Sequence, residues 1–142
     1  MDNRILRIID ADLNRGLEGL RVCEEITRFV LCDKGLTMEF KNLRHNIVGI
    51  TKKWVIDKRF ILEARDSAKD VGSASIKAEL KRDSYKDIFF ANIQRTKESV
   101  RVLEEFAKLS SQKVSRAFKN IRYNLYQLEK KTNSRILSIR RD

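Results

Sequence analysis

Apolar residues recur at intervals of three and four positions along four long segments of the chain, a spacing typical of amphipathic helices rather than strands. The first helix is predicted over residues 1–32 and ends at the turn 33–35. Thr37 is suited to cap the second helix. The apolar seam of that helix consists of Phe40, Leu43, Ile47, Ile50 and Trp54. A third helix is predicted over residues 85–109, and the serine pair 110–111 separates it from the fourth.

The segment 63–84 breaks this period with serines, mixed charges and a glycine. It is long for a connection inside a compact bundle, and such segments usually have a function or lack order. The sequence therefore predicts a single all-α domain with four main helices. These form two helical hairpins, about residues 1–63 and 85–142, joined by a long polar central connection and related by approximate two-fold symmetry.

The two predicted hairpins carry the same charged motif. Arg15-x-x-Glu18-x-x-Arg21-Val22-x-Glu24-Glu25 recurs 80 residues later as Arg95-x-x-Glu98-x-x-Arg101-Val102-x-Glu104-Glu105. A second motif, Leu43-Arg44-His45-Asn46-Ile47, recurs 78 residues later as Ile121-Arg122-Tyr123-Asn124-Leu125. Because a duplication kept only for packing needs only its apolar spacing, the repeated charges are candidates for a functional site.

A helical wheel places Arg15 and Arg95 inside apolar arcs of their helices. A buried guanidinium is costly unless a carboxylate or a bound anion compensates it, and Glu18 and Glu98 lie three residues further on. We therefore predict paired arginines that line an internal anion site. Two alternatives stay open: both arginines extend to water near the helix starts, and the repeated charges form an ordinary solvated ladder of ion pairs.

The central connection offers a further phosphate-binding set. Arg65, Asp66, Asp70 and Gly72 supply one guanidinium, two carboxylates and a backbone that a ligand can approach closely. Carboxylates together with phosphate oxygens are the usual ligands of magnesium in proteins. The spacing of the two aspartates is a weak signal alone, because either residue can equally cap a helix.

The charge balance favours partners that carry phosphate. The 142 residues include 31 lysines and arginines against 20 acids, a net charge of +11, and residues 113–142 alone contribute +7. A solvated basic face explains the same numbers.

Cys23 and Cys32 fit neither zinc spacing nor a disulfide framework, and Cys23 is predicted to be a reduced core thiol. The sequence has no apolar run that spans a bilayer and no secretion leader, so a cytoplasmic location without membrane contact is expected.

Several short motifs, taken in order, resemble one family over nearly the whole chain. They are Ile8-Ile9-Asp10-Ala11-Asp12-Leu13-Asn14-Arg15, Glu18-Gly19-Leu20-Arg21-Val22, Ala64-Arg65-Asp66, Asp70-Val71-Gly72, Arg95-x-x-Glu98 with Arg101-Val102-Leu103-Glu104-Glu105, and Leu125-Tyr126-x-Leu128-Glu129. The family is the small kinase of thiamin biosynthesis that acts on hydroxymethylpyrimidine phosphate, a domain found alone or fused ahead of a thiamin-phosphate synthase barrel. At position 12 that family more often has Asn than the Asp12 of this chain.

The resemblance implies ATP as phosphoryl donor, with Mg2+, and 4-amino-5-hydroxymethyl-2-methylpyrimidine phosphate as acceptor. An acceptor that is already a phosphate presents an ionised oxygen, so catalysis reduces to positioning and neutralising charge. The candidate catalytic residues are Arg15, Glu18, Arg65, Arg95 and Glu98. The candidate substrate-binding residues are Asn14, Arg21, Arg44, Arg101 and Arg122, and the candidate magnesium ligands are Asp66 and Asp70. A homodimer is compatible with an internally symmetric bundle.

Other classes of function compete with this hypothesis. A helical nucleic-acid-binding module would use the basic last helix, with Tyr123 and Tyr126 for base stacking. That reading gives no reason for matched arginines and glutamates in two copies, and we expect no nucleic-acid partner. A structural interaction domain that docks through a helix face, and an enzyme whose arginines bind a dicarboxylate, are the remaining alternatives.

Overall fold

The computed structural model describes residues 1–54, 56 and 58–139. Within them the chain is all helical and has no strand, so the predicted fold class is confirmed. The α-helices are α1 (Asn3–Glu25), α2 (Lys34–Lys53), α3 (Lys58–Ala64), α4 (Tyr85–Ala107) and α5 (Gln112–Ser138). A π-helical turn, Ile26–Val30, extends α1, and two 3-10 turns, Ser67–Lys69 and Lys77–Leu80, lie in the central connection.

Two details of the prediction are wrong. The described residues contain five α-helices rather than the four main helices predicted, because α3 is a further, separate helix of seven residues whose Ile61 is buried. Thr37 does not cap the second long helix. Asp33 does so, since its Oδ1 accepts a hydrogen bond from the Leu36 amide at 2.9 Å, and the helix begins at Lys34.

The four long helices form two hairpins, α1 with α2 and α4 with α5. The most extensive packing joins α1 to α4 at the centre, and α2 packs on both α1 and α5. The predicted seams face this core. Buried seam residues are Phe40, Leu43, Ile47 and Trp54 on α2 and Val114, Phe118, Ile121, Leu125 and Leu128 on α5. The duplicated sequence thus gives a duplicated arrangement, in which each hairpin covers the apolar face of the other.

Small residues let α1 and α4 approach closely. Gly16 and Gly19 of α1 are buried and face Ser99 and Thr96 of α4, which occupy the corresponding positions of the second repeat. A Cβ added at Gly19 would clash with Thr96 Oγ1 and lie 3.0 Å from the Asn92 carbonyl oxygen. One added at Gly16 would lie 3.9 Å from the Ser99 Cβ, an ordinary contact. The absence of a side chain at position 19 therefore determines how closely the two repeats approach each other.

The central connection is mostly exposed, as its polar composition predicts. Two contacts fix its start against α1. Arg65 pairs with Asp10, and Arg7 Nη2 donates to the Asp66 carbonyl oxygen at 3.3 Å. None of the helices in the described part of the chain is both long and apolar enough to span a membrane.

Substituting Gly19 tests the close approach of α1 and α4. Gly19→Ala is expected to lower the free energy of unfolding by about 1–3 kcal/mol, because the added methyl forces the helices apart. Gly16→Ala is the matched control. It should be neutral or stabilising by up to about 1 kcal/mol, since alanine favours the helix and meets no close atom. Urea denaturation of both variants measures the difference, and equal effects would contradict the packing described here.

Candidate active site

The repeated glutamates anchor a clamp inside each hairpin. Glu24 is buried in α1, where Arg44 of α2 donates to Oε1 from Nη2 at 3.3 Å and Arg21 Nη1 lies 3.6 Å from Oε2. In the second hairpin Arg122 of α5 donates from Nε to Glu104 Oε2 at 2.8 Å. The buried carboxylate thus connects the first helix of each hairpin to the second. Through this interaction some of the repeated charges stabilise the fold.

The second clamp is complete and the first is not. Arg122 uses Nε and Nη2 on Glu104, and its Nη1 donates to the Tyr126 hydroxyl at 2.8 Å. Arg44 contacts Glu24 through Nη2 alone, and its Nε is buried without a hydrogen-bond partner. The two copies have therefore diverged in how far their arginine donors are satisfied.

Arg15 and Arg95 are exposed, and the prediction that they are buried is wrong. The side chain of Arg15 is 60% exposed, and its ion pair is with Asp12 Oδ1 at 3.8 Å rather than with Glu18. Arg95 has no ion pair among the described residues, and Glu98 accepts a hydrogen bond from Gln94 instead. Both arginines lie at the edge of the α1–α4 contact, where the buried face gives way to solvent.

The two arginines nevertheless line one cavity, which we call the crossing cavity, with a volume of about 480 Å3. It lies where α1 and α4 cross, with the 3-10 turn Lys77–Leu80 at its rim. Its lining residues are Asp12, Arg15, Glu18, Gly19, Glu79, Asn92, Arg95, Glu98, Ser99 and Val102. The structure therefore brings together four of the repeated charges predicted as site residues, one arginine and one glutamate from each repeat.

A second cavity of about 450 Å3, the connection cavity, adjoins the first and shares Asp12 and Arg15 with it. It lies between the start of α1 and the central connection. Arg65 holds a bidentate pair with the buried Asp10, with both nitrogen–oxygen distances 2.7 Å, and Asn14 Nδ2 donates to Asp10 Oδ1 at 3.3 Å. This network fixes the connection beside the crossing cavity. Asn14, Arg65, Asp66 and Asp70 all line the connection cavity.

Asp66 and Asp70 offer two carboxylates to a cation. Asp70 Oδ1 already accepts a hydrogen bond from the Gly72 amide at 2.9 Å, which leaves its other oxygen available. No group of three or more His, Cys, Asp or Glu side chains in the described ranges is placed to hold a metal. Two carboxylates fit magnesium only where substrate phosphates and water complete its shell, which is its common mode of binding in phosphoryl-transfer sites.

Asp12 is the buried acid shared by both cavities. Burial raises the pKa of its carboxyl group above the ordinary value of 3.8, and the nearby Arg15 and a hydrogen bond with Ser99 only partly offset that effect. Cys23 is a free, buried thiol, which confirms the prediction of a reduced core thiol, and burial raises its pKa to about 12.

Comparison with known protein families finds one that matches most of the chain. The family model described as the ThiD2 family matches residues 7–131. The chain belongs to the ThiD2 family.

Curated relatives share this region within much longer proteins. The chain is 39% identical over 126 residues to a thiamine-phosphate synthase of Nostoc punctiforme, 40% over 126 residues to one of Synechocystis, and 36% over 124 residues to one of Rhodopirellula baltica. These matches cover 88%, 88% and 86% of this chain but 34%, 35% and 32% of the relatives. The chain thus spans about a third of the length of these relatives. No solved structure matches it significantly.

The structure separates the predicted site residues of this ThiD2 family member into two groups. Arg15, Glu18, Arg65, Arg95 and Glu98, with Asn14, Asp66 and Asp70, line the two adjoining cavities. Arg21, Arg44, Arg101 and Arg122 lie apart from them, in the hairpin clamps. The pairing of Asp10 with Arg65 was not predicted from the sequence, although an acid at a buried helix position is a signal for such a partner.

Breaking the complete clamp tests its structural task. Arg122→Met is expected to lower the free energy of unfolding by about 3–5 kcal/mol, because it removes the closest partner of the buried Glu104. Arg101→Met should cost at most about 1 kcal/mol, since Arg101 is largely exposed and lies 4.0 Å from the same carboxylate. Thermal and urea denaturation would measure both, and a mild Arg122 variant would show that the clamp adds little.

Asp12 gives a prediction on pH. A folded-state pKa above 3.8 means that the wild-type carboxyl group favours folding at low pH and that this contribution is lost as pH rises through the folded pKa. Asp12→Asn should therefore be more stable than wild type at neutral pH, with a difference that shrinks as pH falls toward 3.8. Melting temperatures of the two proteins across this range provide the measurement. A variant less stable than wild type at neutral pH would contradict the raised pKa.

Proposed function

We propose that this chain is an ATP-dependent kinase that converts 4-amino-5-hydroxymethyl-2-methylpyrimidine phosphate to the diphosphate in thiamin biosynthesis. The observation that carries the proposal is the convergence of Arg15 and Arg95, one from each repeat, on a single cavity. Membership of the ThiD2 family and relatives named thiamine-phosphate synthase support the pathway. The sequence resemblance to the pyrimidine phosphate kinases supports the reaction.

The dimensions and charges of the site suit two phosphorylated substrates. The crossing cavity and the connection cavity, at about 480 and 450 Å3, each fall within the usual range for small-molecule sites. They meet at Asp12 and Arg15, so groups bound in the two cavities would come together there. Arg15 at this junction and Arg95 in the crossing cavity are both exposed, so their guanidinium groups are accessible to incoming phosphates.

In the proposed reaction a phosphate oxygen of the acceptor attacks the γ-phosphorus of ATP. A new phosphorus–oxygen bond forms, the bond between the γ-phosphorus and the β,γ-bridging oxygen breaks, and ADP leaves with the electron pair. Arg15 and Arg95 neutralise charge on the transferred group. Asp12 is the carboxylate that pairs with Arg15, while Glu18 and Glu98 line the same cavity. Arg65 is held by Asp10 through Nε and Nη2, which leaves Nη1 as its donor toward phosphate.

Magnesium fits this scheme through Asp66 and Asp70, which would hold it beside the connection cavity. When bound, the cation would supply further neutralisation of the nucleotide phosphates. The absence of a nucleophilic triad from the site is consistent with the chemistry, because the acceptor phosphate is already ionised near neutral pH.

A reaction assay tests the kinase proposal. Purified protein is incubated with ATP, Mg2+ and the pyrimidine monophosphate, and chromatography should detect ADP and the pyrimidine diphosphate in equal amounts. Arg15→Gln and Arg95→Gln should each lower kcat/KM by about a hundredfold or more. Arg116→Gln removes an exposed arginine of α5 that lines neither of the two cavities. This variant is the control for net charge and should retain activity.

Two outcomes would overturn the kinase proposal. Formation of thiamine phosphate and pyrophosphate when the pyrimidine diphosphate and a thiazole phosphate are supplied, with no turnover of the monophosphate, would place the activity named in the relatives within this region instead. Absence of turnover together with salt-sensitive RNA binding would favour the nucleic-acid module. Of the two tyrosines named for base stacking, Tyr126 is 40% exposed and its hydroxyl accepts a hydrogen bond from Arg122, whereas Tyr123 is 54% exposed and lies beside Lys119.

A further inference from the structure

We infer that the first hairpin contains a second binding site, for a phosphate-bearing small molecule, on a face of α1 different from that of the crossing cavity. A cavity of about 460 Å3, which we call the hairpin cavity, lies between the end of α1 and the start of α2. Its lining residues are Arg21, Glu24, Arg28, Cys32, Asp33, Lys34, Thr37, Met38, Lys41 and Arg44. This site is separate from the proposed reaction and does not depend on it.

The charges that line the hairpin cavity are unbalanced. Five of its side chains are basic and two are acidic, and both acids are already engaged. Glu24 accepts from Arg44 and lies close to Arg21, while Asp33 caps α2 and lies 3.5 Å from Arg135. An anion would therefore meet positive charge that no protein carboxylate neutralises.

Three cations of this cavity are uncommitted. Arg28, Lys34 and Lys41 have no ion pair within the described part of the chain. Arg28 lies over the Phe29 ring at 4.8 Å, a contact that leaves its N–H groups free to donate. The first turn of α2 borders the same space, and the positive end of its dipole adds to the attraction for an anion. Oxyanions are the ligands that such a set of donors recognises.

Arg44, which also lines the hairpin cavity, retains donor capacity that the protein does not use, because only its Nη2 donates to Glu24 and its buried Nε has no hydrogen-bond partner. In the other hairpin the corresponding atom, Arg122 Nε, is satisfied by Glu104 at 2.8 Å. The tyrosine hydroxyl that completes the Arg122 clamp has no counterpart, because the position equivalent to Tyr126 holds Val48. The donors of Arg44 are therefore less fully satisfied within the protein than those of Arg122, and Arg44 lies in the same cavity as the three uncommitted cations.

The volume and lining of the hairpin cavity favour a small molecule over a polymer as its ligand. A cavity of about 460 Å3 falls within the range for small-molecule sites, and its lining comes from one helical hairpin rather than from an extended basic face. The occupant that fits this chemistry is a compact ligand with one or more phosphate groups. Inorganic pyrophosphate is a suitable probe because it carries this chemistry without a base or sugar.

Calorimetric titration with pyrophosphate tests the inference. It is performed in an Arg15→Gln, Arg95→Gln background, so that binding in the crossing cavity is weakened and the second site can be measured alone. Pyrophosphate is expected to bind this parent, and adding Arg28→Gln and Lys41→Gln should weaken binding by about tenfold or more. Neither side chain contacts the buried Glu24, so the variant is expected to fold, which circular dichroism would verify.

The second repeat provides a matched control. Lys108 and Lys119 occupy the positions equivalent to Arg28 and Lys41, so Lys108→Gln with Lys119→Gln removes the same charge from the other hairpin. This control should change the affinity less than twofold. Equal losses in the two variants would reveal a net-charge effect and overturn the site, as would absence of pyrophosphate binding to the parent.

Two further titrations identify the kind of ligand. ATP should compete with pyrophosphate for the parent if the site accepts a phosphate chain attached to a larger group, whereas a site for a free phosphate compound would take pyrophosphate and exclude ATP. Either result supports a phosphate site. An RNA oligonucleotide that displaces pyrophosphate, with affinity that rises with its length, would show a polymer-binding surface and overturn the small-molecule assignment.

Discussion

The close contact between α1 and α4 is the constraint on which the rest of this structure depends. Gly19 has no side chain where Thr96 occupies the space, so the two repeats meet at a distance that larger residues would not allow. This approach brings the starts of the two repeated motifs to opposite sides of one crossing. Arg15 and Arg95 consequently line the same cavity although they lie 80 residues apart in the sequence.

The duplicated charges divide into two kinds of interaction. Glu24 and Glu104 are buried and need partners, so the arginines near them are required by the fold whatever the protein binds. Glu18 and Glu98 are exposed beside the crossing cavity, where the fold makes no comparable demand. A repeated motif can therefore contain structural and functional charges a few residues apart, and burial of the carboxylate is what distinguishes them.

The helical periodicity was sufficient to predict the fold class and both seams, because 3.6-residue repeats of large apolar side chains specify which face is buried. It was not sufficient for α3, whose seven residues are too few to establish a period.

The burial of Arg15 was mispredicted for a physical reason. A wheel built on apolar side chains gives little weight to Gly16 and Gly19, yet these residues set the centre of the buried face and leave Arg15 at its edge. Pairs such as Arg65 with Asp10 join distant segments and leave no periodic signal at all.

Divergence between the two copies bears on how an internally symmetric bundle acquires distinct sites. In the second hairpin Tyr126 and Glu104 satisfy the donors of Arg122 within the protein, and this arrangement favours stability. In the first hairpin only Nη2 of Arg44 donates to Glu24, the buried Nε has no partner, and Val48 offers no acceptor in place of Tyr126, so the donors of Arg44 are less fully satisfied at a cost in free energy. A duplicated fold can tolerate that cost in one copy because the other copy and the shared α1–α4 contact maintain the bundle. The less complete pairing in the first hairpin lies beside the unpaired cations from which we infer an anion site.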